Sequence, residues 1–151
     1  MKMNNPDRDK VKLEDLMSFP LYACSREVIK KYRPYLDELN LTYTQYIVMM
    51  VFWEKKRINV KELGKKLYLD SGTLTPVLKS LEAKGLVSRY RSAEDERVLI
   101  VEITESGEKL KEKALSVPQH VANCVKLDSD EEAALYSSLY KILEMLDKEQ
   151  N

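Results

Sequence analysis

A mainly helical chain bearing one small β-wing is what this sequence predicts, and three observations carry the prediction. Apolar residues recur at helical spacing over most of the 151 residues, while charged side chains reach 33% and there are only 4 Gly. Between Asn59 and Gly85 a short helix, a tight turn and a second helix can be read in that order. Two β-rich runs follow at once, 86–91 and 97–103, joined by the polar turn 92–96. Helix, turn, helix and ribbon together make a winged helix-turn-helix.

Each element has its own justification. The segment 1–9 is polar and expected to be frayed. A helical pattern begins at Lys10 and carries Leu13, Leu16, Met17, Leu21, Cys24 and Val28 on one side. Pro20 should kink it or delay its start, since proline costs roughly 3 kcal/mol inside a regular helix. Pro34 is a second point at which the helix can bend or end. Thr42 or Thr44 caps the next helix, whose run 46–53 is apolar nearly all round and so forms the central core. Asn59 caps a helix over 60–67, with Glu62 as capping-box partner and Ile58 and Leu63 as a hydrophobic staple. The following helix starts near Asp70 or Ser71 and buries Leu74, Val77, Leu78 and Leu81. Gly85 supplies the left-handed residue that ends it.

After the wing, Thr104 with Glu105 opens a helix that turns Leu110 and Ala114 inward. Pro118 restarts the chain before His120 and Cys124, and 129–132 signals a last helix with Leu135, Leu139, Ile142, Leu143 and Leu146 on one stripe. Residues 1–151 read as a single domain, with a winged lobe at 55–104 and amphipathic segments at 10–40 and 104–148. The terminal helices have no obvious partner in their own chain apart from one another. Homodimerisation through both ends would bury them, and a two-fold dimer suits pseudo-palindromic double-stranded DNA.

The faces of the winged lobe suit the same partner. Ser71, Thr73, Thr75, Lys79 and Ser80 face away from the leucine stripe, and they are small, hydroxylated or basic, as a major-groove helix requires. Arg89 and Arg91 at the base of the wing and Arg97 near its tip can reach the backbone and the narrow minor groove. Net charge is zero overall, but residues 55–97 carry 11 basic and 6 acidic side chains, against 6 and 11 in 98–151. Positive charge thus concentrates where phosphates would be met. A plain solvated face, or a winged helix used for protein contacts, is the alternative.

Other classes find little support. No apolar run approaches the roughly 20 residues of a membrane span, and no signal peptide precedes Leu13, so the chain reads as cytoplasmic. Two cysteines and one histidine show no metal-ligand spacing, and no metal or cofactor is expected. An enzyme is not expected either, for want of a Ser-His-Asp set or a phosphate-cradling glycine loop.

Three motifs then carry a resemblance. The run 67–76 (Leu-Tyr-Leu-Asp-Ser-Gly-Thr-Leu-Thr-Pro), the Asp95-Glu-Arg97 triplet and the run 41–46 (Leu-Thr-Tyr-Thr-Gln-Tyr) resemble the MarR family. Within it they resemble the OhrR branch of organic-hydroperoxide-sensing repressors, over roughly residues 13–146. The resemblance implies a dimeric repressor whose terminal helices interlock and whose two winged lobes straddle an operator. It makes Arg97 the wing-tip residue of the minor groove and Asp95 the residue that orients it.

The resemblance also implies a sensor. Members of this branch carry a reactive cysteine before Phe-x-Leu-Tyr, and this chain has Ser18 there, with the surrounding tyrosines kept as Tyr22, Tyr32 and Tyr43. Tyr32 and Tyr43 would hydrogen-bond the sulfur from the partner subunit, and hydroperoxide would oxidise the thiolate to a sulfenic acid. Serine cannot do this chemistry. Either the natural protein senses something else, or Ser18 is an engineered replacement holding the reduced, DNA-binding state. A second reading is a repressor released by a small phenolic or aromatic ligand. Cys124 lies near the resolving cysteine of two-cysteine members, one residue out of register, with a buried small apolar role as the alternative. Cys24 should face away from Ser18 and pack in the core.

Overall fold

The computed structural model describes residues 11–148. The fraying expected of 1–9 and the helix start expected at Lys10 fall outside the described residues. Leu13–Asp15 make one 3-10 turn, and the first long helix, α1, spans Ser18–Glu38. Pro20 falls in its first turn, where the missing N–H has no carbonyl to lose, so the delayed start is the outcome. Pro34 neither ends nor replaces α1, which continues to Glu38. There Asn40 takes a left-handed conformation (φ 53°) and its N–H bonds the Asp37 carbonyl, while Leu41 N–H reaches back to Leu36. That paired pattern is a Schellman ending with Asn in place of Gly.

The chain divides into two compact units, residues 1–118 and 119–151. In the first, α2 (Tyr43–Lys55) is the central helix the composition implies, with Val48, Met49 and Phe52 fully buried. Thr42 caps it through a reciprocal box with Gln45. The last turns of α1 pack on α2, with Leu36 and Leu39 buried.

The lobe then follows the expected order, with one addition. Strand β1 (Arg57–Asn59) precedes α3 (Val60–Leu67), α4 (Ser71–Ala83), β2 (Val87–Arg91) and β3 (Leu99–Ile103). The sheet runs β1-β3-β2, antiparallel throughout, so the wing is rooted in a three-stranded sheet rather than a free two-stranded ribbon. Asn59 caps α3 by accepting from the Glu62 N–H, but Glu62 does not return the bond. At the turn into α4, Tyr68 is left-handed (φ 54°), which is unusual for so bulky a residue. Gly85 (φ 72°) ends α4 in a Schellman motif, Leu86 N–H bonding Leu81 and Gly85 N–H bonding Glu82.

Helix α5 (Glu105–Ala114), capped by Thr104, packs back on α2. Trp53 donates its indole N–H to the Gly107 carbonyl at 2.9 Å. A β-carbon on Gly107 would lie 2.3 Å from the Leu86 carbonyl oxygen, so only glycine allows this close approach. Helix α6 (Val117–Ala122) follows.

In the second unit α7 (Ser129–Lys148) begins as its acidic start implies. Asp128 Oδ1 accepts from the Asp130 and Glu131 N–H groups, and Glu131 returns a bond to the Asp128 N–H. Leu135, Met145 and Leu146 on α7 are exposed. No helix among the described residues is long and apolar enough to cross a membrane.

Candidate nucleic-acid interface

The outward face of α4 is set by its cap. Asp70 Oδ1 accepts the Thr73 N–H at 2.8 Å, and this bond holds the Asp70 carboxyl below its usual pKa. Leu74, Leu78 and Leu81 are buried beneath, which turns Ser71, Thr73, Thr75 and Lys79 to the surface as the spacing implies. Thr73 Oγ1 donates to Asp70, and Thr75 Oγ1 to the Ser71 carbonyl at 2.7 Å. Each threonine hydroxyl thus keeps its lone pairs outward while its proton is held by the helix. Ser80 does not join this face. It is half-buried and accepts from the Gln45 side-chain amide at 2.9 Å, so the outward placement expected of it is corrected.

The wing tip is a self-ordered turn. Asp95 Oδ1 accepts both the Arg97 backbone N–H (3.0 Å) and Nε (3.2 Å), an Asx-type turn that fixes the root of the arginine. The Arg97 side chain stands 91% exposed. Ser92 N–H to the Val98 carbonyl closes the turn, and Arg91 donates to the Arg97 carbonyl. Arg89 differs from its two neighbours. Its guanidinium donates twice to Glu82 Oε2 on α4, at 2.7 and 3.0 Å, and lies half-buried. The Arg89 hydrogen bond draws the Glu82 pKa down. Arg89 is committed to bracing the wing against α4, which sequence spacing alone does not reveal.

The residues expected to form the sensor fall into two groups within one chain. Ser18 is the first residue of α1, exposed, with Tyr22 one turn on and the Arg26 guanidinium 5.4 Å from its ring centre. Tyr32 lies 14 residues along the same helix, roughly 21 Å away at 1.5 Å per residue. It packs edge-on against Tyr43 (5.0 Å between ring centres), with Tyr46 and Trp53 continuing the cluster. Burial raises the Tyr43 pKa, and burial with the neighbouring Tyr32 and Tyr43 pushes Tyr46 to about 12. Both are therefore neutral hydrogen-bond donors at ordinary pH. The Tyr46 hydroxyl is buried and, among the described residues, has no hydrogen-bond partner.

Neither thiol is in the core. Cys24 is exposed, because α1 buries nothing before Leu36 and Phe19, Leu21, Val28 and Ile29 are exposed with it. Its expected core packing is corrected on that ground. Cys124 is exposed too, its Sγ 3.5 Å from the His120 carbonyl. A cavity of about 360 Å³ opens between α2 and α5, bounded by Tyr46, Met50, Trp53 and Ala114 with Glu54 and Lys111 among its walls. Among the described residues, no group of three His, Cys, Asp or Glu side chains could hold a metal ion.

Residues 27–114 match the family described as transcriptional regulator SarA/Rot. The chain is 48% identical over 138 residues to the organic hydroperoxide resistance transcriptional regulator of Bacillus subtilis (strain 168), covering 91% of this chain and 94% of that one. It is 44% identical to the HTH-type transcriptional regulator SarZ of Staphylococcus haemolyticus (strain JCSC1435), covering 87% and 89%. Among solved structures it resembles reduced AbfR bound to DNA, from Staphylococcus epidermidis, with TM-score 0.76, 31% identity and coverage of 89% and 94%.

Proposed function

The chain belongs to the MarR-type winged-helix transcriptional regulators, in the organic-hydroperoxide branch and not among enzymes, and we propose that it is a dimeric repressor reading a pseudo-palindromic operator. The observation that carries this is the pairing of an exposed, hydroxylated and basic α4 face with the Asp95-anchored Arg97 on one lobe. Ser71, Thr73, Thr75 and Lys79 would meet the major groove, and Arg97 the minor groove, with Arg91 beside it at the backbone. Arg89 serves here as the brace of the wing rather than as a contact. Exposed apolar residues on α1 (Phe19, Leu21, Val28) and, in the second unit, on α7 (Leu135, Met145, Leu146) are what a second copy would cover.

Organic hydroperoxide is the effector class this branch suggests. In a dimer, Tyr32 and Tyr43 of one subunit would face position 18 of the other, as neutral donors suited to a thiolate. Ser18 leaves that pocket without its nucleophile, so the chain as it stands is a peroxide-blind, DNA-binding form. Release by a small phenolic ligand is the second reading, and the cavity between α2 and α5, lined by Tyr46, Met50 and Trp53, favours it. The experiment is selection of duplexes from a random library, followed by fluorescence anisotropy. A recovered site with two half-sites about one helical turn apart, bound two chains per duplex, supports the repressor. Recovery of no preferred duplex overturns it.

A further inference from the structure

We infer that Gln45 is the positioning residue through which the end of α1 sets the tilt of the recognition helix α4, an inference that rests on the DNA-binding reading above. Among the described residues Gln45 is the buried polar side chain of the core, 6% exposed, and both ends of its amide are bonded. Its Oε1 accepts from the Thr42 N–H (3.1 Å) and from Lys84 Nζ (2.9 Å), while its Nε2 donates to Ser80 Oγ (2.9 Å). Lys84 Nζ donates also to the Asn40 carbonyl. One side chain therefore joins the cap of α2 and the last turn of α4, and Lys84 extends the bridge to the residue that ends α1.

An ordinary capping box needs none of this. It is satisfied by two local bonds at the surface, whereas Gln45 is buried and bonded to residues 35 and 39 positions away. Apart from the Glu82–Arg89 brace to the wing, the α4 seat is made by Leu74, Leu78 and Leu81, whose contacts are non-directional and permit the helix to roll or slide. The Gln45 and Lys84 bonds are directional and fix it. They grip α4 at its C-terminal end, and the groove-facing end at Ser71 lies nine residues away, roughly 13.5 Å along the axis. A tilt of about 10° at the grip would carry Ser71 by about 2.4 Å over that length, more than a hydrogen bond tolerates.

The same bridge touches the tyrosine pair. Tyr43 is the first residue of α2, next to Thr42, and it packs on Tyr32 of α1. A rearrangement at Tyr32 and Tyr43 thus arrives at the Thr42–Gln45 box within one turn, and from there at α4. Two conformations of the tyrosine pair would then be felt differently at the operator, as coupling requires.

The test uses the full chain, the duplex recovered by selection and a scrambled duplex of equal length. Gln45→Leu and Lys84→Met should each weaken the selected duplex tenfold or more and the scrambled duplex less than threefold. Gln45→Glu should stay within about threefold of wild type, since its carboxylate can accept from Thr42, Lys84 and the Ser80 hydroxyl alike. The double variant Gln45→Leu/Lys84→Met should be no worse than the poorer single one, because both break one bridge. Folding is checked by circular dichroism at the assay temperature, and if Gln45→Leu fails to fold, Lys84→Met and Ser80→Ala carry the measurement. Folded variants that bind both duplexes as wild type does, or that lose both equally, overturn the inference while the repressor reading stands. Wild type that selects no duplex overturns the repressor reading and this inference with it.

Discussion

Replacing Asp95 by alanine separates two effects that ordinarily act together. Asp95 carries negative charge to the wing tip, so on charge alone its removal should tighten binding to phosphates. It also fixes Arg97 through bonds of 3.0 and 3.2 Å to the backbone N–H and Nε, so on geometry its removal should weaken binding. Arg97 is nearly fully exposed and, among the described residues, Asp95 is the anchor of its side chain, so the fold gains little from the pair. Arg97→Ala should cost about 1–3 kcal/mol of operator affinity, or roughly 5- to 150-fold, with the melting temperature hardly moved. If orientation dominates, Asp95→Ala should reproduce a large part of that loss, about 1 kcal/mol or more, and leave the salt slope unchanged because no phosphate contact is removed. Anisotropy titrations at three salt concentrations, on wild type and both variants, give the affinities and slopes. Tighter binding by Asp95→Ala would refute the orienting role, and unchanged affinity in Arg97→Ala would remove the wing tip from the interface.

Lys79→Ala should weaken selected and scrambled DNA alike and lower the salt slope by about one, as for a phosphate contact; loss of discrimination at a single base pair would instead make Lys79 a base reader. Operator complexes of the chain as written should survive a stoichiometric dose of cumene hydroperoxide, and those of Ser18→Cys should dissociate. Release of the Ser18 form would point to Cys24 or Cys124, and an unresponsive Ser18→Cys form would sink the peroxide reading. Tyr46 holds its proton to about pH 12, above its ordinary value near 10, chiefly through burial. Its contribution is therefore present below pH 10 and lost as pH rises toward 12. Tyr46→Phe should flatten the alkaline fall of stability in denaturant melts. At neutral pH it should be neutral or stabilising, because the hydroxyl it removes is buried without a partner. A clear loss of stability at neutral pH would show that the hydroxyl is satisfied in solution.

The features legible in the sequence were those whose chemistry is local. Thr42, Asn59 and Thr104 cap their helices from within four residues, and Gly85 carries its backbone conformation in its own identity. What escaped depends on partners distant in the chain. Ser80 looks outward on a helical wheel, which has no means of showing an amide arriving from α2. Arg89 reads as a free base until Glu82, on the preceding helix, is seen to hold it. Strand β1 is three residues long with no strand pattern of its own, and exists because β3 has an open edge beside it. Cys24 shares its stripe with leucines, yet that half of α1 buries no side chain. Tyr68 gives no glycine or asparagine signal for its left-handed turn.

Strand β1 has a consequence for the order in which this lobe can form. The β2–β3 pairing closes between Arg91 and Leu99, a loop of about eight residues, whereas Arg57 pairs with Glu102, more than 40 positions away. Loop-closure entropy grows with the logarithm of length, so the longer closure costs about 1.5 kcal/mol more than the shorter one. The hairpin is thus within reach of microsecond formation on its own, while β1 can join only when the helices between have brought its ends together. Both helices of the reading head, α3 and α4, lie inside the loop that β1 closes. Its three residues are therefore expected to act as a latch, setting last in folding and opening first in hydrogen exchange. The hydrogen bonds expected to form slowest in the lobe are those that enclose α3 and α4.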